Sequence, residues 1–312
     1  MRIGYIISTA TVAALLGVNV FVGVSNFKLG SQLALSSGAF DGTAAEAYVL
    51  PVTQADYLPA LDTSAGDLNL DVKAALIWDV KTGRLLYQKN IADRLPIASL
   101  TKIMTAVIVW ERLDPNAIVT IHPSAVKVDG QRQDLYPNET MSVRTLMQLM
   151  LIRSSNDAAY ALRDYATEHG IDMIVEMNNK AQSLGMHNTH FTDPAGLDDA
   201  AFSTASDLAK EVSYALQYDA IWNASRQPTA TIESADGKIS HDIKSTDQLL
   251  GVLNDIVGGK TGYTDGALGC MILIVNAPTS GDKLIAVVLG STARFDAMKN
   301  LVQWTERAYR WQ

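Results

Sequence analysis

The spacing of apolar positions changes along the chain, and the changes mark its elements. Ile3 to Val24 is a run of 22 residues without a charge, preceded by Arg2. It is long enough to cross a hydrocarbon core of ~30 Å at ~1.5 Å per residue. The basic residue ahead of it predicts an N-terminus inside and the remaining chain outside. The run exceeds the ~7–15 residues of a secretory apolar region, and Gly23-Val24-Ser25 is a poor cleavage site, which favours a retained signal anchor at 1–24 over a cleaved signal peptide. From Ser25 to Asp67 no helical or strand period is sustained, and Ala, Gly, Ser, Thr and two prolines dominate. That stretch, 25–67, reads as a flexible tether.

Beyond it, within 68–312, period-2 and period-3.6 patterns alternate. Val72–Asp79 and Arg84–Lys89 read as strands joined by Val80-Lys81-Thr82-Gly83, a β-hairpin. From Ser99 the apolar positions Ile103, Ala106, Val107 and Trp110 follow a helical repeat, with Pro115 after it. Ser142 caps a second predicted helix to Arg153, and a third starts near Asp157. Asp172–Leu184, closed by Gly185, and Thr204–Leu216 are the fourth and fifth. Leu268–Asn276 and Lys283–Leu289 return to strands, followed by a last helix from Ala293 to about Arg310. Strands at both ends with helices between predict an α+β domain: one mostly antiparallel sheet with a helical insertion.

Composition narrows the function classes. The 312 residues are 48% apolar and 19% charged, enough for a sizeable core. With 25 Lys+Arg against 33 Asp+Glu, the net charge of −8 argues against a nucleic-acid surface. A single cysteine, Cys270, excludes an intramolecular disulfide and a Cys-based zinc cluster.

Three short patterns act together in serine acyl-transfer enzymes: S-x-x-K, S-x-N and K-T-G. S-x-x-K starts at Ser25, Ser99, Ser124 and Ser280, K-T-G at Lys81 and Lys260, and S-x-N at Ser154. Only Ser99 opens an apolar-periodic helix, where an unsatisfied N–H can face a developing oxyanion and a lysine three residues on shares the same face. Ser25 abuts the apolar run, Ser124 precedes a Gly-containing loop and Ser280 lies in a turn. The Lys81 copy is hairpin-turn chemistry. The Lys260 copy follows Gly258-Gly259 and leads to an apolar strand, so its side chains can line a cleft.

With these motifs in their order, the chain resembles the serine D-alanyl-D-alanine carboxypeptidases, the low-molecular-mass penicillin-binding proteins of peptidase family S11. The likeness runs from Val72 to Arg310 through PIASLTKIMTA (96–106), LIRSSNDAAYALRDY (151–165), LGMHNTHFTDPAGL (184–197), STASDLA (203–209) and VGGKTGYTDGALGC (257–270). Ser155 stands where Gly is frequent and Asp193 where Asn is frequent. The family's C-terminal β-rich domain and amphipathic anchor have no counterpart after this span, so the N-terminal segment is expected to provide the membrane attachment.

The resemblance implies an α/β sandwich of the β-lactamase/DD-peptidase type, placed outside the cytoplasm, that needs no cofactor or metal. Its substrate would be the peptidoglycan stem peptide, and β-lactam antibiotics would acylate it. It implies Ser99 as the nucleophile and Lys102 as its base. Ser154 would relay a proton to the departing amine, and Asn156 would bind the substrate carbonyl. Lys260 and Thr261 would hold the terminal carboxylate, Gly262 would let substrate approach the strand, and the N–H groups of Ser99 and Tyr263 would form the oxyanion hole. A lysine with pKa ~10.4 is neutral in only about one molecule in 2,500 at pH 7. Burial and a second cation, Lys260, are expected to lower that of Lys102. Alternatives are a D,D-endopeptidase acting on cross-links and a class A-like β-lactamase. The E-x-x-L-N segment of the latter does not occur here. Asp157 reads as a helix cap, and the five histidines as structural or surface groups without metal spacing. Cys270 reads as a small buried residue, and Trp304, Arg307, Tyr309 and Arg310 as a helix packed on the sheet.

Overall fold

The computed structural model describes residues 58–127, 134–278 and 282–310. The expected anchor, residues 25–57 of the expected tether, and Ser25 and Ser280 of the S-x-x-K copies lie outside the described residues. Among the described residues no helix is long and apolar enough to cross a membrane.

Five strands form the main sheet: β1 (Ala74–Asp79), β2 (Leu85–Lys89), β3 (Ile256–Thr264), β4 (Leu268–Asn276) and β5 (Lys283–Ser291). Their order is β3-β4-β5-β1-β2 and every pairing is antiparallel, so strands from both ends of the domain meet where β5 pairs with β1. The β1–β2 turn closes on Asp79, whose Oδ1 accepts from the N–H groups of Lys81 and Thr82, with Gly83 at φ +70°. The Lys81 K-T-G is therefore a turn, with Lys81 ion-paired to Asp282.

Strands β4 and β5 read as continuous apolar runs because both faces are covered. Cys270, Ile272, Ile274, Ile285, Val287 and Leu289 enter one core, and Met271, Leu273, Val275, Leu284, Ala286 and Val288 the other. The first core lies under helices α1 (Lys102–Arg112), α2 (Val143–Ile152), α3 (Asn156–Glu168), α4 (Met173–Ser183), α5 (Ala205–Ala215) and α6 (Asp219–Ser225). The second lies under α7 (Arg294–Ala308), which contributes Met298, Leu301 and Val302. The Ser142, Asp172 and Thr204 side chains cap α2, α4 and α5.

Helix α7 ends at Ala308, before the expected Arg310. Tyr309 and Arg310 are extended and pair with Ala60–Leu61. Arg310 Nη2 reaches Asp62 Oδ2 at 2.9 Å, and Trp304 Nε1 donates to the Gly66 carbonyl at 3.0 Å. The chain is thus tied to the domain from Ala60, inside the stretch that composition reads as spacer. Trp304 packs edge-on against Tyr87 of β2, which accounts for the aromatic end of α7 by packing on the sheet.

Cys270 is fully buried, and burial pushes its thiol up to about 11. A thiolate-selective reagent at pH 8 is expected to leave the folded chain unmodified and to consume one equivalent in denaturant, which ultraviolet titration of released thiol measures.

Candidate active site

The nucleophile segment is built on an unfavourable backbone. Ala98 has φ +48°, a region L-residues seldom occupy, and it opens a 3₁₀ turn over Ala98–Thr101 that passes into α1 at Lys102. Ser99 therefore lies in a tight turn ahead of the helix rather than at its first turn. Its hydroxyl caps nothing: neither Ile97 nor Thr101 at the helix starts makes a side-chain cap, and Ser99 Oγ instead receives Lys102 Nζ at 2.9 Å. The turn's own bonds run from Leu100 N–H to the Ile97 carbonyl and from Lys102 N–H to the Leu100 and Ser99 carbonyls. Ser99 N–H takes no part in them.

Lys102 is fully buried and its ammonium has three acceptors: Ser99 Oγ at 2.9 Å, Asn156 Oδ1 at 2.8 Å and the Ala195 carbonyl at 2.8 Å. Asn156 is the first residue of α3, after a loop in which Ser154 adopts φ +64° and Ser155 caps the helix through Ala158 N–H. Asn156 Nδ2 is buried and has no partner among the described residues, a donor left for a ligand carbonyl. Across the cleft Lys260, 2% exposed, donates to Ser154 Oγ at 2.7 Å and to the Thr261 carbonyl at 2.8 Å. Thr261 Oγ1 meets Thr246 Oγ1 at 2.6 Å.

Lys260–Tyr263 lie on β3, the outer strand of the sheet, whose free edge can pair with an extended peptide. At Gly262 an added Cβ would stand 3.0 Å from Ser99 N and from the Ile97 carbonyl, tighter than ordinary contact, so the missing side chain lets this strand lie close to the nucleophile turn. Tyr263 is exposed, and its hydroxyl donates to Asp265 Oδ1 at 3.3 Å.

Two ammonium groups in one dry cleft disfavour each other's charge. Burial lowers Lys102 to about 7, with Asp193 pulling in the opposite direction. Burial is also the largest cause at Lys260, followed by repulsion from Lys102 and Arg294, and it lies well below the ordinary lysine range despite attraction from Asp247. The expected lowering of Lys102 is thus present, but desolvation causes it, and the repulsion between the two lysines acts on Lys260.

The structure brings Ser99, Lys102 and Asn156 into one hydrogen-bonded group and Ser154, Lys260 and Thr261 into a second, with Gly262 against the first. Asp157 lies outside both. Its Oδ2 accepts from the N–H groups of Asp134 and Leu135, so it ties down a neighbouring loop, and Ser155 holds the cap. Sequence reasoning missed the Ala195 carbonyl, because a backbone group leaves no side-chain signature. It also missed Arg294, which opens α7 and acts on Lys260 through space.

The sequence pattern of peptidase S11, D-alanyl-D-alanine carboxypeptidase, matches residues 61–293. The chain is 32% identical over 233 residues to D-alanyl-D-alanine carboxypeptidase DacF of Bacillus subtilis, a match over 72% of this chain and 59% of that protein. It is 30% identical over 256 residues to the D-alanyl-D-alanine endopeptidase of Escherichia coli, over 79% of this chain and 81% of that one. The crystal structure of the Streptomyces K15 DD-transpeptidase superposes with a TM-score of 0.69 at 28% identity, covering 77% of this chain and 98% of that one.

Proposed function

Because the chain belongs to the D-alanyl-D-alanine carboxypeptidase family, peptidase S11, we propose that it is a serine DD-peptidase. It removes the terminal D-alanine of peptidoglycan stem pentapeptides, and β-lactams acylate it. The observation that carries this reading is the pairing of two buried lysines with two serine hydroxyls in one cleft, Lys102 on Ser99 and Lys260 on Ser154.

In this reading the Ser99 Oγ attacks the carbonyl carbon between the two D-alanines while its proton passes to neutral Lys102 Nζ. The developing oxyanion is received by the Ser99 N–H, which the turn leaves free, and by that of Tyr263. Asn156 Nδ2 binds the preceding carbonyl, and Lys260 with Thr261 holds the terminal carboxylate. Ser154, hydrogen-bonded to Lys260, relays to the departing nitrogen the proton that Lys102 took up, so Ser154 keeps its hydroxyl and Lys102 is neutral again for deacylation. The C–N bond then breaks and D-alanine leaves, with the remaining peptide esterified on Ser99. Water hydrolyses the ester and restores the hydroxyl. Ile3–Val24 anchors the domain outside the cytoplasmic membrane, where this substrate lies.

The test is release of free D-alanine from a pentapeptide ending in D-Ala-D-Ala, with a penicillin adduct mapped by mass to the peptide containing Ser99. Absence of both overturns the reading. A second reading, D,D-endopeptidase, has its own support in the 30% identity to the Escherichia coli endopeptidase. Cleavage confined to cross-linked muropeptides selects it. A β-lactamase activity is not expected, since no E-x-x-L-N segment supplies a glutamate for the deacylating water. The penicillin adduct is predicted to persist for many minutes, followed as slow return of labelling capacity; hydrolysis within seconds contradicts this.

A further inference from the structure

The segment 193–198 belongs to no helix or strand, yet it supplies the Ala195 carbonyl that Lys102 binds. What shapes it is one buried carboxylate. Asp193 Oδ1 accepts from the N–H groups of Ala195 and Gly196, both at 2.7 Å, and Oδ2 from those of Leu197 and Asp198, both at 3.0 Å. Four consecutive backbone donors thus converge on one anion, using both of its oxygens. An asparagine would offer one oxygen and would turn an NH₂ towards two of those N–H groups.

The loop so wound touches the nucleophile turn and its helix α1 at three points. Its Ala195 carbonyl accepts from Lys102, its Pro194 carbonyl accepts from Thr105 Oγ1 at 2.7 Å, and Gly196 lies directly against the Ala98 carbonyl. The same carboxylate attracts the Lys102 ammonium.

We propose that Asp193 is a positioning residue for acylation: it holds the Ala195 carbonyl on Lys102, and its charge raises the pH at which Lys102 begins to act as a base. The inference rests on the serine DD-peptidase reading, in which Lys102 is that base. The charged and titratable groups near the pair are Lys260 across the cleft, and Tyr160 on α3 with Arg163, Asp164 and Asp198 around it. Lys102 opposes protonation of Lys260, and burial raises the Tyr160 hydroxyl. Asp193 is the acid whose attraction acts against the burial of Lys102. A negative charge favours the ammonium, so its removal favours the free amine at lower pH. Asp193 therefore gives an ordered site at the cost of a higher working pH.

The experiment is the rate of acylation by a fluorescent penicillin between pH 5 and 9, in the full-length chain and in D193N, D193E and T105V. In D193N the plateau is expected to fall about tenfold and the ascending limb to move down by about one pH unit. D193E keeps the charge and T105V keeps Asp193 while releasing Pro194, so both are expected to lose rate with the limb in place. A D193N limb at the parental pH overturns the electrostatic half of the proposal, and a parental plateau overturns the positioning half. If thermal unfolding shows that D193N is not folded, a displaced limb in D193E or a parental plateau in T105V overturns it instead. Failure of the parent to acylate at any pH would refute the DD-peptidase reading itself, an outcome distinct from these.

Discussion

Covalent labelling by a β-lactam is expected to vanish in Ser99→Ala and to slow by ~10²–10⁴-fold in Lys102→Met. The first change removes the atom that forms the ester. The second leaves that atom and takes away the group 2.9 Å from it that would receive its proton. Lys102 can act as a base near neutrality because burial has brought it to about 7. The parental acylation rate should therefore climb with pH through that value, and Lys102→Met should lose the limb. Folding stability carries the same signature. An unfolded lysine keeps its proton up to the ordinary 10.5, whereas the folded one releases it from about 7. Between those values the unfolded chain binds more protons, so stability rises with pH across this window. Lys260, also lowered, adds to the slope with the same sign. Urea unfolding at pH 6.5 and 9 is expected to show the parent more stable at the higher pH and the difference reduced in Lys102→Met. An acylation rate flat from pH 5.5 to 8.5 would remove Lys102 from the mechanism.

The elements that the sequence disclosed are those whose pattern has one physical cause. Ser142, Asp172 and Thr204 announce α2, α4 and α5 because a short oxygen side chain ahead of an apolar period satisfies a helix's free N–H groups. Strands β4 and β5 are legible because burial on both faces demands unbroken apolar runs. Strand β3 is hidden: Ile-Val-Gly-Gly-Lys-Thr-Gly-Tyr-Thr carries three glycines and no period-2 alternation. Its glycines answer to neighbours far away in sequence. A Cβ at Gly258 would press on Ser225 and Trp222, one at Gly259 on the Ile272 carbonyl and one at Gly262 on Ser99 N. The two-stranded ribbon of Thr229–Glu233 and Ser240–Lys244 is hidden for another reason, since Ile232 and Ile243 are its buried core positions, partly buried Ala230 packs against the same core, and the other positions are largely polar. The side chains of the cleft were legible because three motifs constrain them together. The Ala195 carbonyl was not, and neither was the left-handed turn at Ala98, since alanine ordinarily signals helix.

That turn makes Gly196→Ala the most damaging single-methyl change expected in the domain. Gly196 has φ +73°, and a Cβ built on it would overlap the Ala98 carbonyl and stand 2.7 Å from Thr101 Oγ1. Two separate costs follow. Alanine in the left-handed region loses ~1–2 kcal/mol, and forcing a methyl into a filled site adds ~1–3 kcal/mol. Neither neighbour can yield cheaply: Ala98 is itself held at φ +48°, and Thr101 is fully buried at the entry to α1. A sum of ~3 kcal/mol corresponds to a melting temperature lower by ~6–12 °C for a domain of this size. Because the collision moves the Ala98 carbonyl, it also moves the Ser99 N–H that follows it, and acylation should fall by more than the unfolded fraction explains. The comparison that isolates this is Gly185→Ala, which shares a φ of +70° but has open space around it. That variant should lose ~1–2 kcal/mol and keep the parental acylation rate. Equal melting temperatures and equal rates in the two variants would show that the 193–198 loop does not support the nucleophile turn.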